Sequence, residues 1–434
     1  MSRMLAKEAF VKQLLTDGVD TIFGNPGTVE QSILDTLSDY PQIRYVLGLQ
    51  ESVVTAMADG FARVTKKPAV VQLHATVGLG NATAMLYQAH RSFTPLVVFA
   101  GETYSDLHAF DGFLGGDMTE IAKPVTKWSA RITHGSQLLR MLRRALKVAA
   151  TPPQGPVFLA IPMDVLEEEI EADIQPTSFV NWRASPDPKS VGKIAHKLVK
   201  SENPLMLIGD GVSVAGAQTE VKVLSDQLGC PIYGVDFADL SASFTNPLFL
   251  GLIGHTSGEI TRSITLKADV VLAVGTPMFP ELFPVHGPYF QENASIFQVD
   301  LNPWEIAKNY PVHIGIWADP KATLNAISLE IDKLLNSELR DKIIKRKEHW
   351  SRINSEGRLA RQSYFNKVRD QLPMSPSRVM EEVVSALPEN VIIYDESITS
   401  TDELLHYLQP THPDSYYLGR GGVYWCWLAR GDRR

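Results

Sequence analysis

The chain has 434 residues, is 44% hydrophobic and 21% charged, and carries a formal net charge of −8. At roughly 150 residues per domain this is two or three globular domains, and the acidic balance argues against general nucleic-acid binding. No apolar run approaches the roughly 20 residues of a membrane span. Lys7, Glu8 and Lys12 interrupt any signal-peptide core, and Cys230 and Cys426 suit neither a disulfide framework nor a metal site. The expectation is a cytoplasmic protein without nucleic-acid or membrane partners.

The first third alternates helix and strand. Residues 4–16 set Phe10 with Leu14 and Val11 with Leu15 on one helical face, and Asp17-Gly18 ends that helix. A strand over 19–23 and a turn at Asn25-Pro26-Gly27 lead into a helix over 28–38. Then come a strand over 43–49, a helix over 51–64, a strand over 69–73, a helix over 81–90 and a strand over 95–100. This last strand and GPVFLAI at 155–161 are apolar without alternation, as in a parallel sheet covered on both faces. The pattern predicts a doubly wound α/β domain over 1–175.

A polar linker follows, and then a second α/β unit over 190–335, with strands at 204–208, 268–274 and 295–299. Residues 336–374 are expected to form a charged helical connector. A third unit over 375–434 has one helix (377–387) and one strand (391–394), too few to close a sheet domain.

Four places carry candidate chemistry. Asn25-Pro26-Gly27-Thr28 lies at a strand's carboxyl end; its bland reading is a capping box of Thr28 with Gln31. Glu51 follows the strand IRYVLGL; alone it is a carboxylate favoured by a helix N-terminus, but in a cleft it could share a proton with a bound heterocycle. His74 ends another strand ahead of ATVGLGN, whose glycines allow close backbone approach, although GLGN could also be a plain strand–helix turn. Because the ends of successive strands converge, Thr28, Glu51 and His74 could line one pocket. Gly209-Asp210-Gly211 reads as a tight turn, since no dinucleotide or Walker sequence follows it.

FGNPGT, LGLQESVVTAMADGFAR, HATVGLGN and GPVFLAIP, in this order, resemble the pyrimidine-binding domain of thiamine-diphosphate enzymes, most of all the benzoylformate decarboxylase branch of the acetolactate synthase and pyruvate decarboxylase group. ADVVLAVGTPMF and FQVDLNP resemble that family's Rossmann-like central domain, and NVIIYDESITS with SYYLGRGG the opening of its diphosphate-binding domain. The resemblance implies that Glu51 hydrogen-bonds the cofactor's aminopyrimidine ring and that His74 transfers protons. It places Thr28 where the branch keeps a serine. It also implies that Asn25, Pro26, Gly27, Ser397, Ile398, Thr399 and Gly422 line the cofactor site, and it suggests His286 as a second histidine.

The family's magnesium motif, GDG followed by an asparagine, is expected some 25 residues after an RGGG-like segment. Here that segment ends at Gly422, and the 12 remaining residues, VYWCWLARGDRR, resemble no family segment. We therefore expect no metal ligands of this chain, a reading frame altered just after Gly422, and weak binding of thiamine diphosphate and Mg2+ by this chain alone. The expected function by lineage is decarboxylation of a benzoylformate-like 2-oxo acid in a homodimer or homotetramer. The alternatives are an acetolactate-synthase-type carboligase and a catalytically inactive remnant.

Overall fold

The structure is a computed structural model and describes residues 2–235 and 239–419. It divides into two compact units, one up to Asn181 together with Gly419 and one over Trp182–Leu418.

The first unit opens with β1 (Ser2–Leu5), α1 (Ala6–Thr16) and β2 (Thr21–Gly24). A 3-10 turn over Thr28–Glu30 runs into α2 (Gln31–Leu37), followed by β3 (Arg44–Leu47), α3 (Glu51–Thr65), β4 (Ala69–Leu73) and α4 (Ala75–Arg91). After β5 (Leu96–Glu102) come α5 (Met118–Ala122), β6 (Trp128–Arg131), α6 (Gly135–Ala150), β7 (Val157–Pro162), α7 (Met163–Glu167) and β8 (Glu169–Ala172). Six strands form one parallel sheet in the order β3-β2-β4-β5-β7-β6, while β1 and β8 pair antiparallel beside it. Every residue of β4, β5 and β7 is buried. Val97 and Phe99 enter one core with Phe10 and Leu142, whereas Val98 and Ala100 enter a second with Leu79 and Leu86. Helices thus cover both faces, which is why these strands read as unbroken apolar runs.

The first of the six strands, β2, has β3 on one side and β4 on the other. The strand order therefore reverses between β2 and β4, and their carboxyl ends flank the crevice where open α/β sheets bind ligands.

The second unit contains α8 (Pro188–Lys200), β9 (Pro204–Ile208), α9 (Asp210–Ala215), α10 (Gln218–Leu228), β10 (Ile232–Val235), β11 (Phe249–Ile253), α11 (Gly258–Thr265), β12 (Val270–Val274), β13 (Ser295–Asp300) and β14 (Ile314–Trp317). The chain continues through α12 (Pro320–Leu334), α13 (Ser337–Val368), α14 (Pro376–Ser385), β15 (Ile393–Asp395), α15 (Thr401–Leu408) and β16 (Tyr416–Leu418). Its parallel sheet has the order β11-β10-β9-β12-β13-β14, the strand order of dinucleotide-binding folds. The charged stretch after residue 336 is the 32-residue α13, of which Phe365 alone is buried. Leu404, Leu405 and Tyr416 share a core with Leu224, Phe249 and Leu324, so the segment after residue 400 packs onto this unit.

The doubly wound α/β architecture is as the alternation of elements predicts. Among the described residues, no helix is long and apolar enough to cross a membrane. Two local expectations fail. Helix α4 starts at Ala75, so HATVGLGN is not a turn before a helix at Asn81. Thr28 is not an N-cap either; Gly27 precedes the 3-10 turn, and its amide donates 2.9 Å to the Glu30 side chain rather than leaving Thr28 to pair with Gln31.

Candidate functional site

Asn25-Pro26-Gly27 follows β2 and is braced from the neighbouring strand. The Asn25 amide donates to the Gln72 carbonyl at 3.4 Å, and Gln72 Nε2 donates to the Asn25 carbonyl at 3.3 Å. The Tyr45 hydroxyl bonds Gln72 Oε1 from the other side. Burial first, and then the Glu30 charge, push that phenol well above its ordinary pKa, so it stays protonated as a donor. A Cβ on Gly24 would lie 2.0 Å from the Tyr45 oxygen, so only glycine fits there.

Glu30 organises the loop ends. It is fully buried. Its Oε1 accepts from the Ala75 amide at 3.1 Å and the Gly101 amide at 2.8 Å, and its Oε2 accepts from the Gly27 amide at 2.9 Å. Nδ1 of His74 lies 3.0 Å from the same Oε2. A carboxylate can only accept here, so in the neutral imidazole Nδ1 carries the proton and the lone pair lies on Nε2. Ala75, the next residue, has φ 48°, a left-handed conformation that costs an alanine roughly 1–2 kcal/mol. The Glu30 bond to the Ala75 amide holds the backbone there, in the manner of strain stored at functional sites. Gly27 lies flat against the imidazole: a Cβ would come within 2.1 Å of the ring.

Glu51 stands in the first turn of α3, where the helix dipole favours a carboxylate, and Gln50 caps that helix by accepting from the Val53 amide at 3.2 Å. It is 7% exposed. Asn81 Nδ2 donates to Glu51 Oε2 at 3.0 Å, while Oε1 makes no hydrogen bond with any described residue. A Cβ on Gly78 would reach 2.9 Å from that Oε1. Gly78 and Asn81 are three apart, so one stripe of α4 carries the gap over Glu51 and the amide that holds Glu51, while His74 stands just ahead of the helix as its N-cap. Gly78 of HATVGLGN therefore serves helix-to-carboxylate contact rather than a turn.

The expected residues are thus distributed as follows. Asn25, Pro26, Gly27, Thr28, Glu51 and His74 all belong to the first unit, and Thr28 is exposed with no hydrogen bond from its hydroxyl to any described residue. Ser397, Ile398 and Thr399 belong to the second unit. There the Ser397 amide and hydroxyl donate to Asp395 Oδ1 at 2.7 and 2.6 Å, the Tyr416 hydroxyl donates to Asp395 Oδ2 at 2.7 Å, and Ile398 takes φ 48°. His286 is also in this unit, its carbonyl 3.4 Å from Arg262 Nη1. Gly422 lies outside the described residues.

Glu30, Asn81 and Gly78 escape the sequence reading. The signal available for Glu30 was a carboxylate three residues after a turn glycine, which is also an ordinary cap pattern.

Gly209 forms the β9–α9 junction, and Asp210 and Gly211 open α9. The Gly211 amide donates 3.0 Å to the Gly275 carbonyl, and a Cβ on either glycine would come within 2.5 Å of the other's Cα. Both glycines are needed for these two backbones, the start of α9 and the residue after β12, to touch. Among the described residues, no group of three His, Cys, Asp or Glu side chains is placed to hold a metal ion.

Two family models match in chain order: the thiamine pyrophosphate enzyme N-terminal TPP binding domain over residues 4–121, and the thiamine pyrophosphate enzyme central domain over residues 191–327. Together they span more than half of the sequence. The chain belongs to the thiamine pyrophosphate enzyme family. It is 29% identical over 410 residues to the benzoylformate decarboxylase of Pseudomonas aeruginosa, covering 93% of this chain and 73% of that protein. It is 27% identical over 433 residues to the probable acetolactate synthase large subunit of Methanococcus aeolicus, covering 97% of this chain and 71% of that one. The solved 4-hydroxybenzoylformate decarboxylase of Rhodococcus jostii, described as thiamine diphosphate-dependent, superposes with a TM-score of 0.78 at 25% identity, covering 97% of this chain and 76% of that one. The crevice described above lies within the segment that matches the N-terminal TPP binding domain.

Proposed function

We propose that this chain acts with thiamine diphosphate in the non-oxidative decarboxylation of a 2-oxo acid of the benzoylformate type. The observation that carries the reading is the buried Glu51, with Oε2 held by Asn81 and Oε1 left open above Gly78. An aminopyrimidine needs one acceptor at this kind of position, and Gly78 leaves the space that a side chain would fill. The residues present therefore fit the pyrimidine end of the cofactor. When bound, thiamine diphosphate supplies the electron sink for the carbanion left as CO2 departs.

Glu51 accepts the aminopyrimidine hydrogen bond and so fixes the ring's orientation and protonation. Asn81 keeps the Glu51 carboxylate from rotating. His74, with Nδ1–H donated to Glu30, presents Nε2 as the atom that passes a proton to or from the substrate. Asn25, Pro26 and Gly27 form the wall beside the imidazole, and Thr28 offers a free hydroxyl at its rim. Ser397, Ile398 and Thr399 are assigned to the cofactor pocket, with Asp395 orienting Ser397. Magnesium belongs to this proposal as the diphosphate's counter-ion, with no ligand assigned among the described residues.

The proposal assigns residues 1–175 to the pyrimidine-binding domain, 190–335 to the central domain, 336–374 to the connector and 375–434 to the diphosphate-binding domain. It also takes two or four copies to act together. Leu49 and Phe113, 92% and 91% exposed on the first unit, are apolar side chains that a second copy would cover. A carboligase of the acetolactate synthase type is the second reading, favoured by the near-equal identity to the Methanococcus aeolicus protein over almost the whole chain.

The test is CO2 release and product analysis with added thiamine diphosphate and Mg2+. Benzaldehyde from benzoylformate supports the first reading. Acetolactate from pyruvate supports the second, and no CO2 from any 2-oxo acid contradicts both.

A further inference from the structure

Away from the crevice described above, the second unit holds a cavity of about 440 Å³ between the edge strand β11, α11, the long helix α13 and α15. That volume lies in the range of small-molecule sites, which are apolar with a few convergent polar groups. Its apolar wall includes Leu250, Leu252, Ile260, Ile264 and Ile353. Ile260 and Ile353 are 59% and 36% exposed, so apolar surface faces the cavity among the described residues.

Gly357 points to the same space. It sits in the interior of α13, where glycine costs backbone entropy relative to alanine, yet a Cβ there would meet nothing within 4 Å. Close packing inside the protein therefore does not account for it. One turn further on, Arg361 also lines the cavity and makes no hydrogen bond or ion pair with any described residue. Its neighbour Arg358 is engaged, with Nε donating to Asn354 Oδ1 at 3.1 Å, Nη1 to Gln409 Oε1 at 3.0 Å and Nη2 to the Phe244 carbonyl. His406 bonds Gln362 Oε1 through Nε2 at 2.7 Å. The lining also carries the Asp402 carboxylate, along with the two arginines.

We propose that this cavity is a binding site for a small anion with an apolar body, an alkyl or aryl carboxylate whose head pairs with Arg361 and whose body lies over Gly357 against Ile260, Ile264 and Ile353. Arg361 supplies a planar two-donor fork that matches a carboxylate, and the surrounding apolar wall excludes water from the rest of the ligand. Asn354 keeps the wall in place by donating to the Phe249 carbonyl at 3.0 Å, tying α13 to the start of β11.

The experiment is calorimetric titration of the full chain with octanoate, with acetate and octylammonium as controls for the apolar body and the charge. Octanoate binds and both controls fail if the proposal holds. Arg361→Leu then weakens octanoate by about tenfold, and Gly357→Leu, which fills the floor, abolishes binding while the far-ultraviolet circular dichroism stays unchanged. Gly357→Ala, the gentler variant, keeps the fold and weakens octanoate. The proposal is overturned if octanoate does not bind, if octylammonium binds as well as octanoate, or if Arg361→Leu and the Gly357 variants bind octanoate like the unmodified chain.

Discussion

Glu30 Oε2 lies 3.0 Å from His74 Nδ1, and the same carboxylate closes three backbone amides, those of Gly27, Ala75 and Gly101. One buried side chain thus ties the β2 loop, the start of α4 and β5 to the imidazole. Replacing Glu30 with alanine leaves these donors without an acceptor. At about 1–3 kcal/mol for a buried unpaired group, the expected loss is at least about 3 kcal/mol, measured by urea unfolding. A loss below about 1 kcal/mol contradicts the arrangement.

Glu30→Gln shifts the effect from stability towards orientation. The amide oxygen can serve Ala75 and Gly101, but its NH2 replaces Oε2, so the Gly27 amide loses its acceptor and the NH2 must donate to His74 Nδ1. The histidine is expected to switch to the Nε2–H tautomer, seen by nitrogen-15 NMR of the ring. Decarboxylation is expected to fall by about 10–100-fold, the scale of a lost proton-transfer group. An unchanged tautomer with unchanged turnover contradicts the role assigned to Nε2.

Gly27 and Gly78 are tested by alanine. A Cβ at 27 would come within 2.1 Å of the His74 ring and one at 78 within 2.9 Å of Glu51 Oε1. Gly27→Ala should displace the imidazole and cost about 1–3 kcal/mol, as overpacking does. Gly78→Ala should act chiefly on the cofactor, weakening thiamine diphosphate by about tenfold with little change in unfolding midpoint. Calorimetry and thermal unfolding of both variants distinguish the two effects.

In the second unit, burial pushes the Asp300 carboxyl up to about 7, with the Glu305 and Asp210 charges adding to the rise and the Asn302 amide, 2.7 Å from Oδ1, opposing it. The folded form therefore holds a proton that the unfolded chain releases near pH 4. Stability from this group is full below about pH 4, declines as pH rises toward 7, and stays lost above that. Asp300→Asn, which carries no charge to bury, should raise stability relative to the unmodified chain at pH 8 but not at pH 4, by an amount on the order of a few kcal/mol. An equal effect at both pH values contradicts the shift.

The first domain was legible because a buried parallel sheet writes itself as unbroken apolar runs, and β4 was placed at its observed ends, Ala69–Leu73. Glu51 and His74 drew attention in the sequence because each follows a strand. That Asn81 holds Glu51 and that Gly78 approaches it was not legible, because both depend on α3 and α4 packing side by side, a contact with no trace in local spacing. The capping pattern at Thr28 misled for a related reason. The acid that turns back to the loop is Glu30, and what holds it there is the distant Gly101 amide of β5. Likewise the glycines of HATVGLGN carry the same composition whether they make a turn or let a helix approach a carboxylate.

The most direct test of the account is the rate of C2 proton exchange in thiamine diphosphate, followed by NMR in deuterated buffer with Mg2+ and the protein. With cofactor and Mg2+ raised far enough to load a weak site, the unmodified chain is expected to accelerate exchange above that of the free cofactor, and Glu51→Gln to return it to the free rate. Acceleration that survives Glu51→Gln, or no acceleration by the unmodified chain, contradicts the account.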